Sequence, residues 1–243
     1  MSELIVLEDL AIRTDARFLV DGVSMTVQPR RVTALVGPSG AGKSLTARAA
    51  MGVLDVSPGL VRGTLRYPML SGDKDWLADT RGGGMRAQKQ LLAQTRQLRG
   101  AYFTYSPQAA SSALNPGRTI GRQLAMAIER RDEVPADVGA EIVKILSEVG
   151  MGPEVAAALP GALSGGMAQR AALAIAVAPQ PRLVIADEPE TGLDPVLRRS
   201  VVELLVRVCK DHGAGLLLIS HHDDTVERIA DDVVRLVPTG GET

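Results

Sequence analysis

Residues 32–51 constrain this chain more than any other stretch. Val32-Thr33-Ala34-Leu35-Val36 is a short apolar run, rich in β-branched residues. It stops at Gly37-Pro38-Ser39-Gly40-Ala41-Gly42-Lys43-Ser44, where a helical pattern takes over to Met51. A strand that ends in G-x-x-x-x-G-K-S and feeds a helix is built to wrap phosphate. The glycines let the backbone curl so that successive N–H groups of Gly37 through Ser44, all but Pro38, point inward at phosphate oxygens. The helix N-terminus adds its partial positive charge. Lys43 can reach the β- and γ-phosphates of a nucleotide, and the Ser44 hydroxyl can ligate Mg2+. The plainer alternative is a glycine-rich turn without a ligand; the strand before and the helix after argue against it.

The remainder of the chain has the alternation that such a unit needs. Short apolar runs occur at Leu4–Leu7, Val23–Val27, Leu183–Ala186, Leu216–Ser220 and Val233–Val237. Several are continuously apolar, as expected of strands buried on both faces of a parallel sheet. Helical patterns cover Ala140–Val149, Gly165–Val177 and Pro195–Lys210. The succession predicts an α/β fold. Residues 110–160 read as loop and helix without a strong strand, which suggests a helical insertion. Residues 71–100 contain Gly82–Gly84, then Arg86, Lys89, Arg96 and Arg99 with no acid between them. That stretch reads as a solvated loop and helix, or as a contact for acidic partners or lipid headgroups.

Composition decides what the phosphate loop serves. The 27 Lys and Arg nearly balance the 28 Asp and Glu, so no global basic field points to nucleic acid. The single cysteine, Cys209, excludes an internal disulfide framework and fits a reducing compartment. The start, MSELIVLEDLAI, lacks the basic and apolar regions of a signal peptide. The most apolar run, Ala171–Ala178, falls well short of the ~18 residues of a membrane span. A membrane role must therefore come through a partner chain.

Two further constellations carry chemistry. Leu183-Val184-Ile185-Ala186 runs directly into Asp187 and Glu188. Carboxylates at the end of a buried strand are costly unless partnered, and the C-terminal ends of parallel strands are where ligands bind. Asp187 is expected to hold Mg2+, directly or through water, and Glu188 to polarise an attacking water. Alone, the pair also fits a strand end that simply meets solvent. Leu163-Ser164-Gly165-Gly166-Met167-Ala168-Gln169-Arg170 opens a helix, with Ser164 placed as N-cap and two glycines baring N–H groups at the positive end. Its bland reading is an ordinary capped helix. Yet it is a second phosphate-seeking device, and one nucleotide cannot easily use both on one subunit. A head-to-tail dimer, each Ser164–Gly166 closing over the other subunit's nucleotide, resolves this.

With these residues in place the chain resembles the ABC ATPase family over nearly its whole length. Gly37–Ser44 is similar to that family's Walker A loop, Leu183–Glu188 to its Walker B strand and Leu163–Arg170 to its signature. By that resemblance Gln108 is the Q-loop glutamine, which contacts the metal and senses the γ-phosphate. Gly192-Leu193-Asp194 is the D-loop, which crosses the dimer interface. His221 is the switch histidine, which contacts the γ-phosphate and orients water and Glu188. Leu19–Ser24, Ser44-Leu45-Thr46, Gln108–Pro116 and Met167 resemble the subgroup importing nickel, oligopeptides and metal–opine complexes.

There are departures. Adenine usually stacks on an aromatic in the N-terminal β region; here Arg13 or Thr14 stands in that zone and Phe18 is the nearby aromatic. Glu190 replaces the usual threonine after Asp-Glu-Pro, Ala110 stands where proline is frequent, and the chain stops soon after Val237.

The resemblance implies a RecA-like P-loop α/β core (1–109 and 171–243) with an N-terminal antiparallel β portion. A helical subdomain is inserted at 110–170. It implies ATP and Mg2+ as ligands, and hydrolysis coupled to transport at the cytoplasmic face of the cell membrane. Implied partners are integral-membrane permease subunits, a second ABC ATPase subunit (identical or a paralogue) and, indirectly, a solute-binding protein; nucleic acid is not among them. The alternative is a soluble ABC ATPase of DNA repair or translation, whose usual coiled-coil, zinc or tandem insertions are not visible.

Overall fold

The computed structural model describes residues 3–108, 113–191 and 195–239. The chain divides into two compact units, 1–99 with 217–243, and 100–216. Among the described residues no helix is long and apolar enough to cross a membrane.

The first unit begins with an antiparallel sheet in the order β2-β1-β4, formed by β1 (Ile5–Thr14), β2 (Phe18–Val27) and β4 (Pro58–Arg66). Leu7 pairs with Met25 on one side and Leu65 on the other, and all three are buried. The register shifts between Leu7 and Leu10, where Asp9 takes a left-handed φ of 49°. This bulge explains why β1 runs to Thr14 although the apolar run in the sequence stops at Leu7. Two further strands are parallel: β3 (Val32–Val36), buried along its whole length, pairs with β8 (Asp232–Arg235), Thr33 facing Asp232.

Helix α1 (Lys43–Ala50) follows β3 and buries Thr46, Ala47, Ala49 and Ala50. Small side chains let the helix lie close against its neighbours. Its final turn is satisfied from outside. The Tyr67 hydroxyl, fully buried, donates to the Ala50 carbonyl oxygen at 2.8 Å, one of the orphan acceptors of a helix end. Tyr67→Phe keeps the ring, which packs edge-on to Trp76 at 5.4 Å, and removes only the donor. Stability is expected to fall by about 1–3 kcal/mol, the cost of a buried unsatisfied acceptor, read as a lower denaturation midpoint at unchanged slope.

After the short α2 (Pro68–Ser71), helix α3 (Gly84–Gln94) carries Arg86 and Lys89 of the basic stretch, and Arg96 and Arg99 follow it. It is anchored by Gln88, whose amide accepts from Val56 N at 3.2 Å and donates to Val56 O at 2.7 Å. Arg86, Lys89 and Arg96 are exposed.

The second unit holds the parallel pair β5 (Phe103–Ser106) and β6 (Leu183–Asp187), with Tyr105 in register with Ile185. Helices α4 (Ile120–Ile128), α5 (Val138–Glu148) and α6 (Gly165–Val177) lie between them in sequence. Each is capped by the side chain just before it. Thr119 accepts from Arg122 N, Asp137 from Ala140 N and Ser164 from Met167 N. The Asp137 cap starts α5 two residues ahead of the apolar pattern. A buried ion pair, Arg131 to Glu141 at 2.8 Å, ties the end of α4 to α5, and Arg131 Nε also donates to Ala178 O. Helix α7 (Pro195–Asp211) buries Val201, Val202, Leu205, Val208 and Cys209, the spacing of one helical face. Burial pushes the Cys209 thiol up to about 12, so it is a packing residue and not a reactive one. The chain returns to the first unit within β7 (Gly215–Ser220), then forms α8 (Asp223–Ile229).

Candidate nucleotide site

In the first unit the loop 37–42 joins the end of β3 to α1. Gly37, Gly40 and Gly42 all take positive φ, at 148°, 83° and 88°. Two of them are required by their surroundings as well. A Cβ on Gly42 would lie 2.6 Å from both the Leu19 carbonyl oxygen and Val20 Cγ2, and one on Gly37 would collide with the Leu236 carbonyl oxygen. The loop therefore cannot be rebuilt with ordinary residues. Lys43, only 6% exposed, turns back over it and donates from Nζ to Gly37 O at 2.9 Å and Pro38 O at 3.1 Å. An ammonium held over a ring of backbone, at the positive end of a helix, is an anion receptor whose charge is already in place. Pro38, Ser39, Gly40 and Ser44 are exposed at its mouth.

His221, at the end of β7 in the same unit, is exposed, its ring centroid 4.1 Å from that of His222. Phe18 is half-buried. The Arg13 guanidinium lies over its ring at 5.7 Å, and its carbonyl oxygen accepts from the Thr239 hydroxyl at 2.5 Å. One aromatic face is thus already covered by a cation.

In the second unit the two acids at the end of β6 are both held from β5 and the residues after it. Asp187, 5% exposed, accepts at Oδ2 from the Tyr105 hydroxyl at 2.8 Å. Glu188 accepts at Oε2 from Gln108 Nε2 at 2.9 Å and from the Thr191 hydroxyl at 3.3 Å. Glu188 also takes φ of 45°, an unusual left-handed conformation for a side chain of this kind. Such backbone strain clusters at functional sites, although Asp9, Arg30 and Gln180 share it elsewhere in this chain. The structure therefore brings Asp187, Glu188 and Gln108 together. Tyr105 and Thr191 are additions that the motifs did not announce. Glu190 is fully buried.

Helix α6 presents the third element. Ser164 caps it, and Gln169, buried, donates from Nε2 to the Pro189 carbonyl at 2.6 Å, fastening the helix to the segment after Glu188. Gly165 and Gly166 behave differently from Gly37 and Gly42. Neither has positive φ, and a Cβ added to either meets nothing within 4 Å. Nothing in the described residues of the subunit itself calls for glycine there. Asp194 lies outside the described residues.

Among the described residues no group of three or more His, Cys, Asp or Glu could form a metal cage. Ser44 in the first unit, and Asp187 and Gln108 in the second, each nevertheless carry an oxygen donor of the hard type that Mg2+ takes. Mg2+ is usually held by one or two carboxylates with phosphates and water. Taken singly, these donors are of the type that fits a metal arriving with a nucleotide.

Comparison with known proteins agrees with this chemistry. The family described as ABC transporter matches residues 20–191. The chain is 33% identical over 219 residues to the glutathione import ATP-binding protein GsiA of Escherichia coli O157:H7, covering 88% of this chain and 34% of that protein. It is 32% identical over 219 residues to the oligopeptide transport ATP-binding protein AppD of Bacillus subtilis (strain 168), covering 88% and 62%. The chain thus spans about a third of the first relative's length and somewhat under two thirds of the second's. Among solved structures, an ATP binding subunit of an ABC transporter superposes with a TM-score of 0.72 at 26% identity. That likeness covers 97% of this chain and 87% of the other. The α/β fold anticipated from the motif order, with its antiparallel and parallel strands and helices, is the fold found.

Proposed function

The chain belongs to the ABC transporter family, and on that footing we propose that it binds and hydrolyses ATP to power a membrane importer. Its solute would be of the peptide, nickel or metal-chelate type. The relatives named for glutathione import and oligopeptide transport favour the peptide end of that range. The observation that carries the reading is the loop 37–42, where Gly37 and Gly42 admit no side chain and a buried Lys43 is folded over the backbone.

In this reading the backbone N–H groups of Gly37–Ser44, all but Pro38, receive the phosphates, and Lys43 exchanges its loop carbonyls for β- and γ-phosphate oxygens. Mg2+, when bound, neutralises charge on the phosphate oxygens; Ser44, Asp187 and Gln108 would hold it. Glu188 takes a proton from the attacking water, with Gln108 and Thr191 fixing its carboxylate until then. His221 hydrogen-bonds the γ-phosphate, and Asp194 serves the facing subunit. Ser164, Gly165 and Gly166 offer N–H groups to the γ-phosphate of a partner subunit, identical or paralogous. The helical region 110–170 would act as a subdomain. Closure on ATP and reopening after hydrolysis would move integral-membrane permease subunits, with the chain peripheral on the cytoplasmic face and a solute-binding protein engaged indirectly.

Lys43→Ala tests the carrying observation. The ammonium meets phosphates that are present before reaction, so affinity and turnover should fall together. Isothermal titration with a non-hydrolysable ATP analogue is expected to show binding weakened ~10-fold or more, as for loss of a charge-assisted hydrogen bond. Unchanged affinity would mean that the glycine backbone holds the phosphates without the lysine.

A further inference from the structure

We propose that Tyr105 is a positioning residue for Asp187, setting the direction of that carboxylate for the metal that accompanies the nucleotide. The inference rests on the reading of Asp187 as the metal-side carboxylate, and its test separates the two.

The placement follows from strand geometry. Tyr105 on β5 is in parallel register with Ile185 on β6. Paired residues of neighbouring strands project to the same face, and side chains alternate with period two. Asp187, two residues beyond Ile185, therefore returns to the face that Tyr105 occupies. The diagonal between them is too wide for a short polar side chain but within reach of an aromatic one. The phenol spans it and ends with its hydroxyl 2.8 Å from Asp187 Oδ2.

The chemistry of the donor matters. Asp187 is 5% exposed, at the end of a strand whose five residues are all buried. A buried carboxylate needs partners. The phenol offers an O–H that carries no charge of its own, so it can orient the carboxylate without adding a cation beside it. Three residues further on, Gln108 does the corresponding service for Glu188 at 2.9 Å. One short segment, Tyr105 to Gln108, thus grips both adjacent acids through neutral donors. A residue that merely filled space beside β6 would need the ring and not the hydroxyl.

Tyr105→Phe keeps the ring and deletes the donor. The full-length chain would be titrated with a non-hydrolysable ATP analogue, once with excess Mg2+ and once with EDTA, beside wild type and Asp187→Asn. For Tyr105→Phe, affinity in EDTA should stay within about twofold of wild type. The gain in affinity that Mg2+ brings should shrink ~10-fold, as for loss of a hydrogen bond to a charged group. The melting temperature of the nucleotide-free protein checks that the fold is intact, and Tyr105→Leu, lacking ring and donor, should lose no more of the Mg2+ gain than Tyr105→Phe. If Tyr105→Phe keeps the full Mg2+ gain while Asp187→Asn loses it, the positioning role is wrong and the Asp187 reading stands. If Asp187→Asn keeps the full gain, Asp187 is not the metal-side carboxylate and both fall. If Tyr105→Phe weakens binding equally in EDTA, the hydroxyl serves packing alone and the proposal is overturned.

Discussion

Glu188→Gln is expected to leave ATP binding intact and slow hydrolysis at least ~100-fold, because a positioned general base ordinarily contributes 10²–10⁴. The geometry makes the substitution a clean one. Glutamine has the shape of glutamate, and its carbonyl oxygen can still accept from Gln108 Nε2 and the Thr191 hydroxyl, which now hold Glu188 Oε2 at 2.9 and 3.3 Å. The left-handed backbone at this position, φ 45°, is imposed by the turn after β6 and would be unchanged. What is lost is the ability to take a proton from water. Phosphate release at saturating ATP and Mg2+ measures the effect, with analogue titration as the control for binding. Hydrolysis within threefold of wild type would remove Glu188 from the base role and leave His221 as the next group to test.

What could be read from the sequence, and what could not, follows from how each element is stabilised. The strand–loop–helix of residues 32–51 is locally specified: an apolar strand, glycines that must be glycines, and a helix whose start is marked by the loop. The apolar run before Asp187 and the Ser164 cap of α6 were readable for the same reason, since their signals lie within a few adjacent residues. Strand β4 was not anticipated, because Gly59, Arg62 and Gly63 interrupt its apolar positions and only its pairing with β1 makes it a strand. Strand β5 has four residues, too few for a period to show. Tyr105 was missed with it. No spacing links residue 105 to residue 187; their meeting depends on the register of two strands 80 residues apart in sequence, which pairs Tyr105 with Ile185. Phe18 shows the opposite case. It could be named as the nearby aromatic, but that Arg13 covers its ring is a tertiary fact.

Gly165→Asp is expected to abolish formation of the closed pair while sparing the binding of ATP by a single subunit. The reason lies in the contrast between the two sets of glycines. Gly37 and Gly42 are glycine because this chain's own backbone leaves no room, whereas Gly165 and Gly166 face open space. A carboxylate at 165 should therefore fit the isolated subunit without strain, beside the exposed Ser164 cap. An acid in the first turn of α6 even suits the helix dipole. In the closed pair the same carboxylate would stand against the γ-phosphate of the facing subunit, where like charge is strongly unfavourable. The measurement is light scattering coupled to size exclusion in the Glu188→Gln background, on this chain alone and mixed with any paralogue encoded beside it. ATP with Mg2+ should trap the pair and ADP should not; with Gly165→Asp added, neither should, and titration of the monomer should give wild-type affinity. Loss of ATP binding by the Gly165→Asp monomer would mean that α6 acts on its own subunit's nucleotide, and the sandwich arrangement for this chain would be wrong.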